Sequence, residues 1–231
     1  LVAAVGWWWP TAIPPRAAAT GLRVVHLNTY YFNEQTAPKL AFAAMSQADL
    51  VSLQEVSPGL EAQLATISST YPHQRISRAP TPMALLSVYP LTRAQAWGPQ
   101  AVLYHVGRPV AQGGAFYVLQ IYPQSPHGPT ALATRNTLLA QVIQALPNLP
   151  RPLLMVGDFN TVPWDSALQA LHPALSLAGG WRAWQPSFPT WLPVTPLDHL
   201  YASPHWPKAA AQRARVAGTD HLGLVVDFPV R

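Results

Sequence analysis

The segment Leu153-Leu154-Met155-Val156-Gly157-Asp158-Phe159-Asn160 consists of four apolar residues that run into a glycine and then two short polar side chains two positions apart. A short apolar run bounded by Pro152 and Gly157 predicts a fully buried strand. Such a strand brings Asp158 and Asn160 to the rim of a sheet, where functional residues are often carried. The same Asp-x-Asn pattern also fits a simple turn that closes a strand. The rest of the chain has to decide between these two interpretations.

Further apolar runs and helical patterns alternate along the chain. Helices are predicted over residues 34–45, 58–68, 130–146 and 165–171, where apolar residues recur every three or four positions. Strands are predicted over residues 22–28, 49–54, 83–88, 101–106, 114–121, 197–201 and 222–228, in addition to the strand from 153. Residues 176–196 are expected to form a loop. This order predicts an α/β fold with mixed sheets.

The composition limits the class of protein. The chain has 231 residues, of which 49% are hydrophobic and 10% charged, as in globular rather than disordered chains. The formal net charge is +5, and nearly all the basic residues are arginine, which favours an anionic partner such as nucleic acid, phospholipid or another phosphate ester. The absence of cysteine excludes disulfides and thiolate metal sites.

Acidic residues are scarce, numbering nine, and several stand where an apolar strand ends. The polar residues at strand limits are Asn28, Glu55, Asp158, Asn160, Asp198 and Asp220. Their recurrence predicts that they converge at one edge of the fold. A carboxylate-rich set suits a hard cation such as Mg²⁺ or Mn²⁺, and close carboxylates would repel one another without it.

Five short motifs carry a resemblance to a known family. In order, they are Leu27-Asn28, Leu53-Gln54-Glu55, Gly157-Asp158-Phe159-Asn160, Leu197-Asp198-His199 and Thr219-Asp220-His221. Together they resemble the endonuclease/exonuclease/phosphatase superfamily, which includes deoxyribonucleases, exonuclease III-like nucleases, neutral sphingomyelinases and inositol polyphosphate phosphatases. The resemblance covers about residues 21–231. It implies a single catalytic domain there, folded as a four-layer sandwich of two packed mixed β-sheets flanked by helices.

The resemblance also implies a metal site. Glu55 would ligate a divalent cation, with Asn28 and Asp220 nearby as ligands or support. The cation would be Mg²⁺, with Mn²⁺ as the alternative.

The remaining roles concern the attack on phosphorus. Asp158 would orient and deprotonate the attacking water, and Asn160 would hold the phosphate. His221 would act on the phosphate or the water, and Asp198 would accept its other ring N–H. Whether Asp158 or His221 is the base stays open. Because side chains alternate along a strand, Asp198 rather than His199 is expected to face the site.

Tyr122 and the other histidines have separate expectations. Tyr122 stands where deoxyribonuclease-like and sphingomyelinase-like relatives carry a second histidine, whereas exonuclease III-like relatives use a tyrosine there. It is predicted as a catalytic and substrate-binding phenol, and the alternative is a core tyrosine. The other histidines, including His26, are expected to be structural or on the surface. The Arg-x-Asp-Tyr element of repair nucleases is absent, since Pro196-Leu197-Asp198-His199 stands in its place.

The predicted function is a metal-dependent phosphodiesterase with DNA as the leading substrate and no obligate protein partner, acting as a monomer. A phospholipid or phosphate-monoester hydrolase is the alternative, and a lapsed member that only binds is a third. Residues 1–20 are expected to be a tail or linker. Nine apolar residues cannot span a bilayer, which takes about 20, but Trp7–Trp9 also suit the interfacial end of a membrane helix. The protein would then be membrane-tethered or extracytoplasmic, and otherwise cytoplasmic.

Overall fold

The computed structural model of the protein describes residues 12–78, 80–180 and 185–230. The predicted tail is described only from residue 12, and it runs without helix or strand to residue 19. The tryptophan cluster at 7–9, and the membrane-proximal role predicted for it, lie outside the described residues, as do residues 181–184 of the predicted loop. None of the helices in the described ranges has both the length and the apolar composition that a membrane span requires.

The described residues form twelve strands and four α-helices. The helices are α1 (Thr36–Met45), α2 (Pro58–Gln63), α3 (Pro129–Ala145) and α4 (Ser166–Gln169). The strands are β1 (Thr20–Asn28), β2 (Leu50–Gln54), β3 (His73–Ser77), β4 (Met83–Ser87), β5 (Leu91–Ala96), β6 (Ala101–Val106), β7 (Phe116–Ile121), β8 (Leu153–Asp158), β9 (Ser176–Leu177), β10 (Asp198–Ala202), β11 (Ala210–Ala214) and β12 (Gly223–Pro229).

The strands form two six-stranded mixed sheets. The order in one sheet is β11-β12-β1-β2-β4-β3, and in the other it is β5-β6-β7-β8-β10-β9. The pairs β1–β2 and β7–β8 are parallel, and the other named pairs are antiparallel. The predicted fold of two packed mixed sheets flanked by helices is confirmed.

Three apolar clusters account for the four layers. Leu22 and Val24 of β1 pack with Leu154 of β8 between the two sheets. Alternate residues of the same strands face outward, so that Val25 packs with Phe42 of α1. On the far side of the second sheet, the outer cluster includes side chains of β7, β8 and α3, among them Leu119, Met155, Leu139 and Val142.

The strands that the sequence did not predict are the edge strands β3, β5, β9 and β11. Their burial explains the omission, since every residue of β3 is at least partly exposed and β5 buries only Leu91. An edge strand with few inward side chains carries no apolar run to detect. The predicted helix over 58–68 is also divided, because α2 ends at Gln63 and a 3₁₀ turn continues over Leu64–Ile67.

Gly157 shows how the fold brings the two sheets together below the site. A Cβ at this position would collide with the carbonyl oxygen of Ile121 on β7 and would lie 2.7 Å from Nε2 of Gln54. The Gln54 amide uses that space: Nε2 donates to the carbonyl oxygen of Ile121 at 2.7 Å, and Oε1 accepts from the backbone N–H of Asp158 at 2.8 Å. One side chain of the first sheet therefore fixes the ends of two strands of the second.

Candidate active site

Glu55 follows β2 with a left-handed backbone (φ 53°), a conformation uncommon for a residue other than glycine. The hydroxyl of Thr29 donates to the backbone carbonyl oxygen of Glu55 at 2.7 Å and supports this turn. The carboxylate accepts three hydrogen bonds. Oε1 accepts from Asn28 Nδ2 at 3.0 Å and from the Tyr122 hydroxyl at 2.6 Å, and Oε2 accepts from the backbone N–H of Tyr31 at 3.1 Å.

Asn28, at the end of β1, joins two carboxylates. Its Nδ2 donates to Glu55 Oε1 at 3.0 Å and to Asp158 Oδ2 at 3.1 Å, and its Oδ1 accepts from the backbone N–H of Tyr30. The amide is 1% exposed. Because one NH₂ group serves both acids, the separation of Glu55 and Asp158 is fixed by the structure.

Asp158 ends β8 and is buried. Its Oδ1 accepts from the backbone N–H of Asn160 at 2.8 Å. Burial raises the pKa of Asp158 to about 7, because a carboxylate removed from water loses the solvation of its charge. Asn160 has a positive φ of 49°, and its Nδ2 donates to the carbonyl oxygen of Pro123 at 2.9 Å. Arg135 of α3 holds this loop by donating to the Asn160 carbonyl at 3.0 Å.

His221 faces Asp158 and is held from behind by Asp198. Its Nδ1 lies 2.7 Å from Asp198 Oδ2, and its Nε2 lies 3.8 Å from Asp158 Oδ2. Burial alone would lower the pKa of His221, but the Asp198 and Asp158 carboxylates outweigh it and raise the value to about 10. Since an ionised carboxylate only accepts hydrogen bonds, Nδ1 carries a proton and Nε2 is the atom directed at Asp158.

Asp198 is fully buried on the inter-sheet face of β10, and His199 lies on the opposite face against the ring of Phe159. Burial alone would raise the pKa of Asp198, but His221 and then His26 outweigh it and hold the value well below its usual range. Both oxygens are used, because Oδ1 lies 2.9 Å from His26 Nε2. The carboxylate is thus an ionised anchor for the imidazole of His221.

Tyr122 follows β7 and is 6% exposed. Its hydroxyl donates to Glu55 rather than pointing free into the cleft. Burial, and after it the negative charge of Glu55, raises the pKa of the phenol, so it stays protonated and neutral. The structure therefore places Tyr122 on the predicted metal ligand, and the phosphate contact predicted for it stays a prediction.

These side chains line one cleft of about 670 Å³. Asp220 lies half-buried in its wall, and burial raises the pKa of this carboxyl as well. Six of the eight predicted site residues line this cleft. The other two contact them from behind, since Asn28 donates to Glu55 and Asp158, and Asp198 contacts His221. In the described part of its lining, the cleft has no arginine or lysine.

The sequence profile of the endonuclease/exonuclease/phosphatase family matches residues 26–221. This protein belongs to that family. Its members hydrolyse phosphate esters and depend on a divalent metal. The resemblance stated from the five motifs is therefore confirmed. A search of curated protein sequences found no match.

Solved structures of family members share the fold. The catalytic domain of human nocturnin, determined with a bound sulfate, is 19% identical over 91% of this chain and 94% of its own, with a TM-score of 0.70. Sphingomyelinase C from Streptomyces griseocarneus is 15% identical over 89% and 98%, with a TM-score of 0.65. Truncated TDP2 from Caenorhabditis elegans is 16% identical over 90% and 98%, with a TM-score of 0.69.

The oxygen donors in the cleft fit the divalent cation of the family. Asp158, Asp198 and His221 have atoms within 4.8 Å of one another, but both Asp198 oxygens are taken by imidazoles, so this group is an acid–imidazole pair rather than an ion cage. Glu55 Oε2 accepts one backbone hydrogen bond, and a carboxylate oxygen has capacity for more. Glu55 is thus a carboxylate with capacity left for a hard cation. Asp220 lies in the lining of the same cleft, and the ligand roles of Asn28 and Asp220 stay predictions.

Two residues outside the predicted set complete the site. Gln54 fixes the backbone of Asp158, and His26 contacts Asp198. His26 is fully buried, which is one of the two outcomes expected for it. The position of His26 could have been predicted from the strand pattern, because residues two apart along a strand lie on the same face. His26 therefore lies on the same side of β1 as Asn28.

Replacing Tyr122 by phenylalanine is expected to lower kcat by about 10–100-fold, in the range of substitutions that remove the support of a metal ligand. The physical reason is the loss of the 2.6 Å hydrogen bond to Glu55 with retention of the ring packing. The measurement is kcat against Mg²⁺ concentration, where the variant needs more Mg²⁺ for half-maximal rate. A melting shift without any kinetic change would make Tyr122 a core residue only.

Proposed function

We propose that this protein is a divalent-metal-dependent phosphodiesterase. The observation that carries the proposal is the juxtaposition of the Asp198–His221 pair with the Glu55–Asn28–Asp158 hydrogen-bonded group in one cleft. Retention of all these groups in a buried setting also argues against a lapsed binding protein, because unused buried carboxylates destabilise a fold.

The chemistry assigned to the chain's own residues starts from the 3.8 Å separation of His221 Nε2 and Asp158 Oδ2. Both atoms face one point, where a water molecule can be oriented and relieved of its proton. Asp198 holds the imidazole in one orientation and stabilises its charged form. Asn160 provides an amide donor for a phosphate oxygen. A divalent cation held by Glu55, Asn28 and Asp220 would polarise the phosphoryl oxygen and neutralise the charge that develops there.

The charge distribution bears on the substrate. DNA was predicted from the net charge of the whole chain, but several arginines are used in ion pairs away from the cleft. Arg16 pairs with Asp49 at 2.9 Å, and Arg23 pairs with Asp227 at 2.7 Å. With no arginine or lysine in the described cleft lining, a nuclease would have few phosphate contacts there.

The loops that carry the site residues expose apolar side chains instead. Phe32, in the loop after Asn28, is 83% exposed and lines the cleft. Trp191, which is 73% exposed, lies in a loop whose Thr190 N–H donates to the Asp220 carbonyl at 2.8 Å. Exposed aromatic groups beside a polar cleft suit the boundary of a lipid layer. We therefore propose a phospholipid phosphodiester as substrate ahead of DNA.

The test compares neutral phosphatidylcholine–sphingomyelin vesicles, a water-soluble choline phosphodiester and duplex DNA, each with Mg²⁺. Vesicles are expected to be hydrolysed at least about tenfold faster than the soluble ester, with little dependence on salt. Replacing Phe32 and Trp191 together by serine is expected to remove that preference and to leave hydrolysis of the soluble ester intact. DNA hydrolysis whose binding falls with salt at a log–log slope of roughly −0.9 per phosphate neutralised would restore the nuclease prediction.

A further inference from the structure

The Asp198 carboxylate lies between two imidazoles. Oδ2 is 2.7 Å from Nδ1 of His221, and Oδ1 is 2.9 Å from Nε2 of His26. Both His26 and Asp198 have fully buried side chains. Nδ1 of His26 lies 3.1 Å from Ser52 Oγ, which in turn lies 3.0 Å from Nε2 of Gln120. A continuous polar chain therefore runs from the core to the imidazole of the active site.

The two ends of this chain fix the roles of the atoms that lie there. Gln120 Nε2 also contacts the carbonyl oxygens of Leu53 and Ala84 at 3.2 and 3.0 Å, so it must be the donating end of the amide. Asp198 at the other end can only accept while ionised. His26 then donates from Nε2, and as a neutral imidazole it accepts at Nδ1 from the Ser52 hydroxyl. The two hydrogen bonds of the His26 imidazole then both point toward the carboxylate, an arrangement in which one bond strengthens the next.

The same chain joins the two sheets. His26 and Ser52 belong to β1 and β2 of the first sheet, whereas Asp198 and Gln120 belong to β10 and β7 of the second. The contact of His26 with Asp198 is therefore a bridge across the inter-sheet space, next to apolar side chains such as Val24 and Leu200. Apolar residues would fill that space without the desolvation of the four polar side chains of this chain, so its presence calls for a functional reason.

We propose that His26 is a positioning residue of the active site, which holds Asp198 in the orientation that supports His221. A carboxylate held by one donor alone can rotate about its Cβ–Cγ bond and present either oxygen, or neither, to His221. The second donor fixes the plane of the carboxylate. Nε2 of His221 is thereby kept directed at Asp158. The kinetic part of this inference rests on the proposed phosphodiesterase function.

The experiment compares His26→Met, which keeps bulk and removes the donor, with His26→Gln, whose amide nitrogen reaches about as far as Nε2. In the methionine variant, kcat is expected to fall by about 10–100-fold, as for other groups that orient a catalytic or metal-bound side chain, with KM within about twofold of wild type. The glutamine variant is expected to recover to within about threefold of wild-type kcat. His105→Met, a substitution on β6, is the matched control and leaves kcat unchanged.

A second readout needs no substrate. In ¹⁵N-histidine-labelled protein, the Nδ1 proton of His221 is expected to be protected and shifted downfield by its carboxylate partner. That signal is lost in His26→Met and retained in His26→Gln. If no phosphate ester is hydrolysed, the proposed function fails and this signal alone decides the role of His26. An unchanged His221 signal and kcat in His26→Met, or equal impairment of both variants, would overturn the proposal.

Discussion

Changing His221 to alanine lowers kcat on the best substrate by about 10²–10⁴-fold, and changing Asp158 to asparagine has an effect of the same size, the range usual for groups that move protons. The reason is the 3.8 Å approach of His221 Nε2 to Asp158 Oδ2, which places both groups at one water. KM changes little, because these atoms act on the reacting water rather than bind the rest of the substrate. Steady-state kinetics at saturating Mg²⁺ are the measurement.

The double variant sharpens this prediction. If Asp158 and His221 serve one proton transfer, the loss in the double variant is about that of the worse single variant, since removing either one disables the step. Independent contributions would multiply instead. His105→Ala is the control for loss of an imidazole, and it keeps wild-type kcat. Retention of near wild-type turnover by either single variant would show that the roles assigned to Asp158 and His221 are wrong.

The Asp158→Asn variant is not expected to unfold the protein. Burial raises the pKa of Asp158, which means that its charge is disfavoured by the fold, so a neutral asparagine removes a buried charge while it leaves one donor imperfectly matched. These effects oppose each other. The melting temperature is expected to change by a few degrees at most, where about 1 kcal/mol corresponds to roughly 2–4 °C in a chain of this size.

The central strands of both sheets could be predicted from the sequence. Strands such as β2 and β8 are buried along their whole length, and most of their residues are apolar, which made them detectable from the sequence. The acidic residues that follow them stand out because the whole chain has only nine. In a fold with parallel pairs β1–β2 and β7–β8, the ends of these strands meet, and the predicted cluster of Asn28, Glu55 and Asp158 is the result.

The supporting contacts were beyond single-sequence reasoning. Gln54 and Asp158 are 104 residues apart, and His26 and Asp198 are 172 apart. Their contacts depend on the register and spacing of two separate sheets, which local periodicity does not determine. The substrate prediction failed to gain support for a related reason. A net charge of +5 counts arginines but gives no position for them, and Arg16 and Arg23 lie in ion pairs instead of lining the cleft.

Changing Glu55 to glutamine removes most of the activity, by at least about 10²–10³-fold, and weakens cation binding. Asn28 Nδ2 and the Tyr122 hydroxyl both donate to Oε1, whereas Oε2 accepts only from the Tyr31 N–H among the contacts described. A glutamine keeps its oxygen where two donors meet it, so its NH₂ replaces Oε2. In the wild-type protein, Oε2 is the oxygen left for the cation. The amide nitrogen that replaces Oε2 cannot ligate a cation. Wild-type enzyme in excess chelator is expected to be inactive, and full turnover there would exclude a metal-dependent reaction.

The same variant has a signature that does not depend on turnover. A cation that binds only the folded state raises the melting temperature with increasing concentration, so wild-type protein is expected to be stabilised by Mg²⁺ or Mn²⁺. Glu55→Gln removes one of several neighbouring carboxylates, which relieves repulsion with Asp158 and Asp220. This gain opposes the loss of the acceptor for the Tyr31 N–H, so the metal-free melting temperature should stay close to that of wild type, while the rise with Mg²⁺ is lost. The control is Glu61→Gln, which keeps the full rise in melting temperature with Mg²⁺. Glu61 lies on the surface of α2 and pairs with exposed Arg78. A Glu55→Gln protein that Mg²⁺ stabilises as strongly as wild type would place the cation elsewhere in the cleft.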